Sequence, residues 1–171
     1  QKAPFYEAQL QELLTSYGKN IHIVDNINVA IESSSITFIV VATPSDKNGA
    51  FSLKHVEKVA REIGETIRNK KSYHLVVLTS TVLPLSGDQK IISWLEKASG
   101  KKCGKGFGYC YNPEFIALGS VIKNLLYPDL VLIGESDRKS GDMLEKFYRS
   151  FCLEKIVTNR TNIVNAEITK I

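Results

Sequence analysis

Leu53, Val56, Val59, Ala60, Ile63 and Ile67 recur at helical spacing, following an apolar run over residues 36–42 that is too short and too β-branched for a helix. The same alternation repeats down the chain. Residues 75–78 read as a strand before a helix carrying Ile91, Ile92, Leu95 and Ala98, and residues 109–111 as a strand before a short helix near 119–125. Residues 130–133 follow as a strand, then a helix with Met143, Leu144, Phe147 and Phe151, then a strand over 155–157. Strands that are apolar throughout and alternate with amphipathic helices predict a doubly wound α/β domain, a parallel sheet covered on both faces. The front end predicts a helix over 6–17, a short edge strand over 21–24 and a helical turn over 26–32. A last helix begins over 163–171 with no glycine or proline stop signal, which points to truncation.

Composition adds limits to this picture. A chain of 171 residues fits one domain, and its 43% hydrophobic content suffices for a single core. The 22 basic and 18 acidic residues leave a net charge of +4, scattered rather than blocked. That excess suits an anionic ligand and argues poorly for nucleic acid. No apolar run approaches the roughly 18 residues of a membrane span, and Gln1-Lys2-Ala3-Pro4 carries no signal-peptide pattern, so a cytoplasmic location is expected. Cys103, Cys110 and Cys152 lack CxxC spacing and read as ordinary thiols of a reducing compartment. His22, His55 and His74 have no spacing that suggests a metal.

In open parallel sheets, ligands bind outside the carboxyl ends of the strands. The predicted junctions there are Ala42-Thr43-Pro44-Ser45, Thr79-Ser80-Thr81-Val82 and Asn112-Pro113-Glu114. Thr43-Pro44 also fits a plain strand exit, and Ser80 and Thr81 also fit local backbone bonding. Glu114 stands apart, because a carboxylate after a buried strand lies near surroundings that penalise an unpartnered charge. Gly104-Lys105-Gly106-Phe107-Gly108 precedes a strand instead of joining a strand to a helix, so it reads as a flexible loop and not as a phosphate turn. No acidic cluster follows an early strand, which sets aside a receiver-like signalling domain.

The run Tyr111-Asn112-Pro113-Glu114-Phe115-Ile116-Ala117-Leu118-Gly119-Ser120-Val121, continued by Pro128-Asp129, resembles the signature of NAD-dependent nucleotide-sugar 6-dehydrogenases, the UDP-glucose/GDP-mannose dehydrogenase family. Thr43-Pro44 and Ser80-Thr81-Val82 resemble two further family motifs. The likeness runs from Tyr6-Glu7 to Ala166-Glu167-Ile168-Thr169-Lys170, which looks like the start of the family's central helix. It implies a Rossmann-like NAD-binding domain over residues 1–160 and the start of the connecting helix over 161–171, with the first glycine-rich βαβ portion lying before Gln1.

By the same resemblance, Thr43, Pro44, Ser80, Thr81 and Glu114 approach the NAD cofactor, and Phe115, Ile116, Ala117, Leu118 and Lys170 the nucleotide sugar. Thr81 would hold a water or substrate hydroxyl, Glu114 would assist proton movement and thioester hydrolysis, and Lys170 would stabilise oxyanion character. The implied reaction oxidises the C6 alcohol twice, through a thiohemiacetal and a thioester on a cysteine of a later domain. None of the three cysteines here has that context, so the chain alone is expected to be inactive. The resemblance further implies a homodimer through the central-helix region, with no membrane or nucleic-acid partner. The implied substrate is UDP-glucose or a UDP-N-acetylhexosamine; Leu118, in place of a second glutamate of many relatives, points to the N-acetylated sugar, whereas Leu130 in place of an arginine reads as a structural change. The alternative is a non-enzymatic nucleotide-sugar binding remnant or partner subunit.

Overall fold

The computed structural model describes every residue except Gln1, Asp46, Asn48, Ala50 and Leu118. Helices α1 (Leu10–Tyr17) and α2 (Ile27–Glu32) precede strand β1 (Ile36–Ile39), helix α3 (Lys54–Asn69) and strand β2 (His74–Leu78). A π-helical turn, Gly87–Ile91, leads into α4 (Ile92–Ser99), then β3 (Phe107–Tyr111), α5 (Val121–Leu126) and β4 (Val131–Glu135). Helix α6 (Arg138–Arg149), strand β5 (Thr158–Thr161) and helix α7 (Ile163–Lys170) complete the order. No helix among the described residues is long and apolar enough to cross a membrane.

Alternation of side chains between the two faces of the strands divides the core into two layers. Val76, Leu78, Phe107, Tyr109, Tyr111 and Leu132 face α3, α4 and α7, which contribute Val56, Ala60, Ile63, Leu95, Ile163 and Ala166. Leu75, Val77, Cys110, Val131 and Ile133 face α6 through Leu144 and Tyr148. The doubly wound α/β expectation therefore holds, with helices on both faces of a five-stranded sheet ordered β1-β2-β3-β4-β5.

The sheet is not parallel throughout, and this corrects the sequence expectation. Strands β1, β2 and β3 are parallel, but β4 runs antiparallel to β3, with Cys110 opposite Glu135 and Tyr111 opposite Gly134. The connection from β3 to β4 is largely extended and includes only the six-residue α5, so it stays at the carboxyl edge instead of crossing back. Strand β5 then pairs parallel to β4, and α7, which follows it directly, starts beside Gly134 and climbs to bring Lys170 to Glu114, beyond the carboxyl end of β3. Gly134 makes room for that climb, since a Cβ there would lie 2.7 Å from Ala166 Cβ and 2.9 Å from Ile163 Cα.

Other boundaries shift for identifiable reasons. The last strand falls at Thr158–Thr161 rather than 155–157, because an edge strand can use polar ladders. Arg160 fastens it through Glu135 at 2.7 Å, Asp142 at 2.5 Å and Glu145 at 3.2 Å. Phe107 and Gly108 belong to β3, paired with His74 and Leu75, so only the first part of the expected glycine loop is a turn. Residues 21–24 form no strand. Asn26, Asp137 and Asn162 cap α2, α6 and α7 by accepting backbone N–H bonds from Asn28, Ser140 and Asn165.

His74, at the start of β2, is fully buried. Lys70 Nζ donates to His74 Nδ1 at 3.1 Å, leaving Nε2–H to donate to Thr37 Oγ1 at 2.8 Å. Burial, reinforced by the Lys70 charge, pushes its pKa down to about 4. The unfolded chain takes up a proton near the ordinary histidine value of about 6.5, whereas the folded chain does not until about pH 4. Stability is therefore expected to fall as pH drops through that window, by about 2 kcal/mol between about pH 7 and pH 5. Urea midpoints at the two pH values check this against His74→Gln, in which that share of the acid sensitivity should vanish.

Candidate functional site

Because β1, β2 and β3 are parallel, the junctions that follow them emerge at one edge of the sheet. Two of these junctions are tied directly to each other. Val41 N–H donates to Ser80 Oγ at 2.8 Å, and Ser80 Oγ donates to Val41 O at 2.6 Å. Thr43 Oγ1 donates to Thr81 O at 2.8 Å, while Pro44 is exposed and its carbonyl accepts from Ser52 N–H at 2.9 Å. Ser80 thus has its hydroxyl engaged on both sides by backbone. Thr81 is partly exposed, and no described residue takes up its hydroxyl.

The third junction is anchored from below by Asn112, which is 2% exposed. Its N–H donates to Leu78 O at 2.9 Å, its Nδ2 donates to Leu132 O at 2.8 Å, and its Oδ1 accepts from Tyr148 O–H at 2.7 Å. One residue thereby joins β2 through its backbone, and β4 and α6 through its side chain, beneath the turn that lifts Glu114. Burial pushes the Tyr148 hydroxyl up to about pKa 12, aided by the Glu114 charge, so it remains a donor to Asn112. A cleft of about 130 Å³ opens alongside, lined by Glu114, Phe115, Ile116, Tyr127 and Pro128 among others.

Lys170 arrives from the last turn of α7. Its Nζ donates to Glu114 O at 2.6 Å and stands 4.9 Å from the centre of the Phe115 ring, a cation–π approach. Phe115 is half exposed, Ile116 partly buried, and Ala117 exposed with its carbonyl accepting from Ser120 N–H at 3.2 Å. The structure therefore gathers Thr43 with Thr81, and Glu114 with Phe115 and Lys170. Leu118 lies outside the described residues.

Two buried polar side chains that no motif role marks, Asn112 and Glu167, also support this edge. Glu167 is fully buried and accepts N–H bonds from Leu85 at 2.7 Å and Gly87 at 2.8 Å. A usable signal existed: Glu167 falls on the same helical stripe as Ile163 and Ala166, at i, i+3, i+4, where an apolar residue is the rule. Asn112 carried no comparable pattern.

Thr43 and Thr81 thus present neutral hydroxyl and backbone groups at the sheet edge from which Glu114 also emerges, a polar set chemically compatible with the amide and hydroxyl groups of a dinucleotide. Residues 1–152 match the NAD binding domain of the UDP-glucose/GDP-mannose dehydrogenase family. GDP-mannose 6-dehydrogenase of Pseudomonas aeruginosa is 41% identical over 150 residues, covering 86% of this chain and 34% of that protein. A UDP-glucose 6-dehydrogenase of Haloferax volcanii is 33% identical over 148 residues, covering 85% of this chain and 34% of its own length. The crystal structure of a ternary complex of the Pseudomonas aeruginosa GDP-mannose dehydrogenase superposes with a TM-score of 0.91 at 38% identity, over 99% of this chain and 38% of the other. The chain thus spans little more than a third of the length of these relatives. A family match over residues 1–152, together with a superposition over nearly the whole chain, makes this chain a member of the UDP-glucose/GDP-mannose dehydrogenase family, within its NAD-binding domain.

Proposed function

We propose that the whole protein carrying this chain oxidises the C6 alcohol of a nucleotide hexose to a carboxylate, with GDP-mannose its first candidate substrate. The supporting observation is the convergence of Lys170 Nζ on Glu114 O and the Phe115 ring, at the same sheet edge as the Thr43–Thr81 tie. In this reading residues 1–160 form the cofactor side and residues 161–171 begin the helix that closes it. The sugar choice follows the GDP-mannose relatives, which share more residues with this chain than the UDP-glucose relative does. A cytoplasmic site, with its NAD pool, and a homodimer belong to the same proposal.

Bound NAD would accept the hydride that leaves C6 in each of two oxidations. Thr43, Pro44, Ser80 and Thr81 would form the wall against which it lies, with Ser80 holding the β1 and β2 junctions in register. The Thr81 hydroxyl would orient the reacting hydroxyl or water, and the Glu114 carboxylate would receive the proton released at that oxygen. Residues 115–117 would lay backbone along the sugar, and Lys170 would balance negative charge developing on the C6 oxygen.

Incubating the full-length protein with NAD and each of GDP-mannose, UDP-glucose and UDP-N-acetylmannosamine tests this. NADH should form at two equivalents per sugar, fastest with GDP-mannose. Binding of the sugars without NADH would instead identify a binding protein. Glu114→Gln is expected to lower kcat by about 10²-fold while moving the sugar KM far less, and unchanged kcat would return Glu114 to a structural role.

A further inference from the structure

Helix α7 brings a second charged side chain to the loop that follows Thr81. Glu167 holds the Leu85 and Gly87 amides with its two carboxylate oxygens, across more than 80 positions of sequence for the first pair. Among the described residues no cation pairs with it. Burial pushes its pKa up and the two amides oppose that rise, so the arrangement sequesters a carboxylate for two backbone bonds.

The loop it holds is unusual. Leu85 adopts φ 71°, a left-handed conformation that crowds the Cβ of a leucine against its own backbone. The π-helical turn Gly87–Ile91 begins two residues later. No slack separates loop from helix, because a Cβ on Gly87 would lie 2.5 Å from Ile163 Cγ2 and 3.1 Å from Tyr109 Cε1. Thr81 stands four residues before Leu85, and Lys170 stands one helical turn after Glu167.

We propose that Glu167 is a positioning residue: its carboxylate locks the loop bearing Thr81 onto the helix bearing Lys170, so that these two groups keep one fixed separation across the site. The proposal rests on the dehydrogenase reading only for its activity readout. The bonds, the strained leucine and the absent slack stand without it.

The test uses the full-length protein. Glu167→Gln turns an amide NH2 towards one of the two N–H donors, replacing a bond by a repulsion. Hydrogen exchange should accelerate over residues 82–89, and kcat should fall by roughly tenfold to a hundredfold with little change in the sugar KM. Ile163→Val removes a methyl from the same interface but leaves both bonds, and should keep the parent kcat. Should the glutamine variant fail to fold, Glu167→Asp, which withdraws the oxygens by one methylene, is read in the same way. Parent-like exchange over 82–89, parent-like kcat, or an equal loss of kcat in Ile163→Val would each overturn the proposal. A parent protein that forms no NADH with any sugar would defeat the dehydrogenase reading instead, and exchange alone would then decide the clamp.

Discussion

Lys170→Ala in the full-length protein is expected to lower kcat by roughly 10² to 10³, equivalent to about 3 to 4 kcal/mol of transition-state stabilisation. The ammonium is pinned between Glu114 O at 2.6 Å and the Phe115 ring face at 4.9 Å, so it is already placed before substrate arrives. A preplaced cation gains most when charge develops beside it, which makes its loss a defect of rate more than of binding. Lys170→Arg should not restore the rate fully, because a broad planar guanidinium cannot occupy the place of a compact ammonium. Steady-state kinetics, with folding checked by circular dichroism, decide the matter. Near-normal turnover in the alanine variant would leave Lys170 a fastener for the Glu114 carbonyl and nothing more.

Asn112→Ala should be the most damaging single truncation for stability at the site, costing about 3 kcal/mol. It strands two buried groups at once, Leu132 O and the Tyr148 hydroxyl, each of which now has Asn112 as its partner at 2.8 and 2.7 Å. Tyr148→Phe removes only one of the two bonds and should cost about 1 kcal/mol. Combining the two changes should cost less than their sum, because Tyr148 has no partner left to lose once Asn112 is gone. Urea denaturation of the single and double variants measures this coupling. Strict additivity would show that the three groups do not act as one network.

The sequence was most legible where burial is two-sided. Strands β2 and β3 are buried at every position, and their uninterrupted apolar runs announced them. The stripe of Val56, Ala60, Ile63 and Ile67 announced α3 equally well. Strand β5 was illegible by the same criterion, since Thr158–Thr161 is held by an ion-pair network that includes carboxylates 15 and 18 residues away in sequence. Strand direction was illegible too, because apolar runs carry no arrow and the turn back after β3 depends on an extended connection with no periodicity of its own. At the candidate site, motif order nominated Thr43, Thr81, Glu114 and Lys170. What Asn112 and Glu167 do could be read only from contacts between elements distant in sequence.

The two margins of the sheet differ in a way that bears on solubility. The β5 margin is polar, and Arg160 with its three carboxylates crowds it with charge, a surface on which a foreign strand finds little purchase. The β1 margin reads Ile-Thr-Phe-Ile and continues into Val40, which is 69% exposed; among the described residues β1 pairs only with β2. A concentrated sample of these 171 residues alone therefore offers one inviting edge and one protected edge, so self-association through β1 would grow by pairs and not by open-ended stacking.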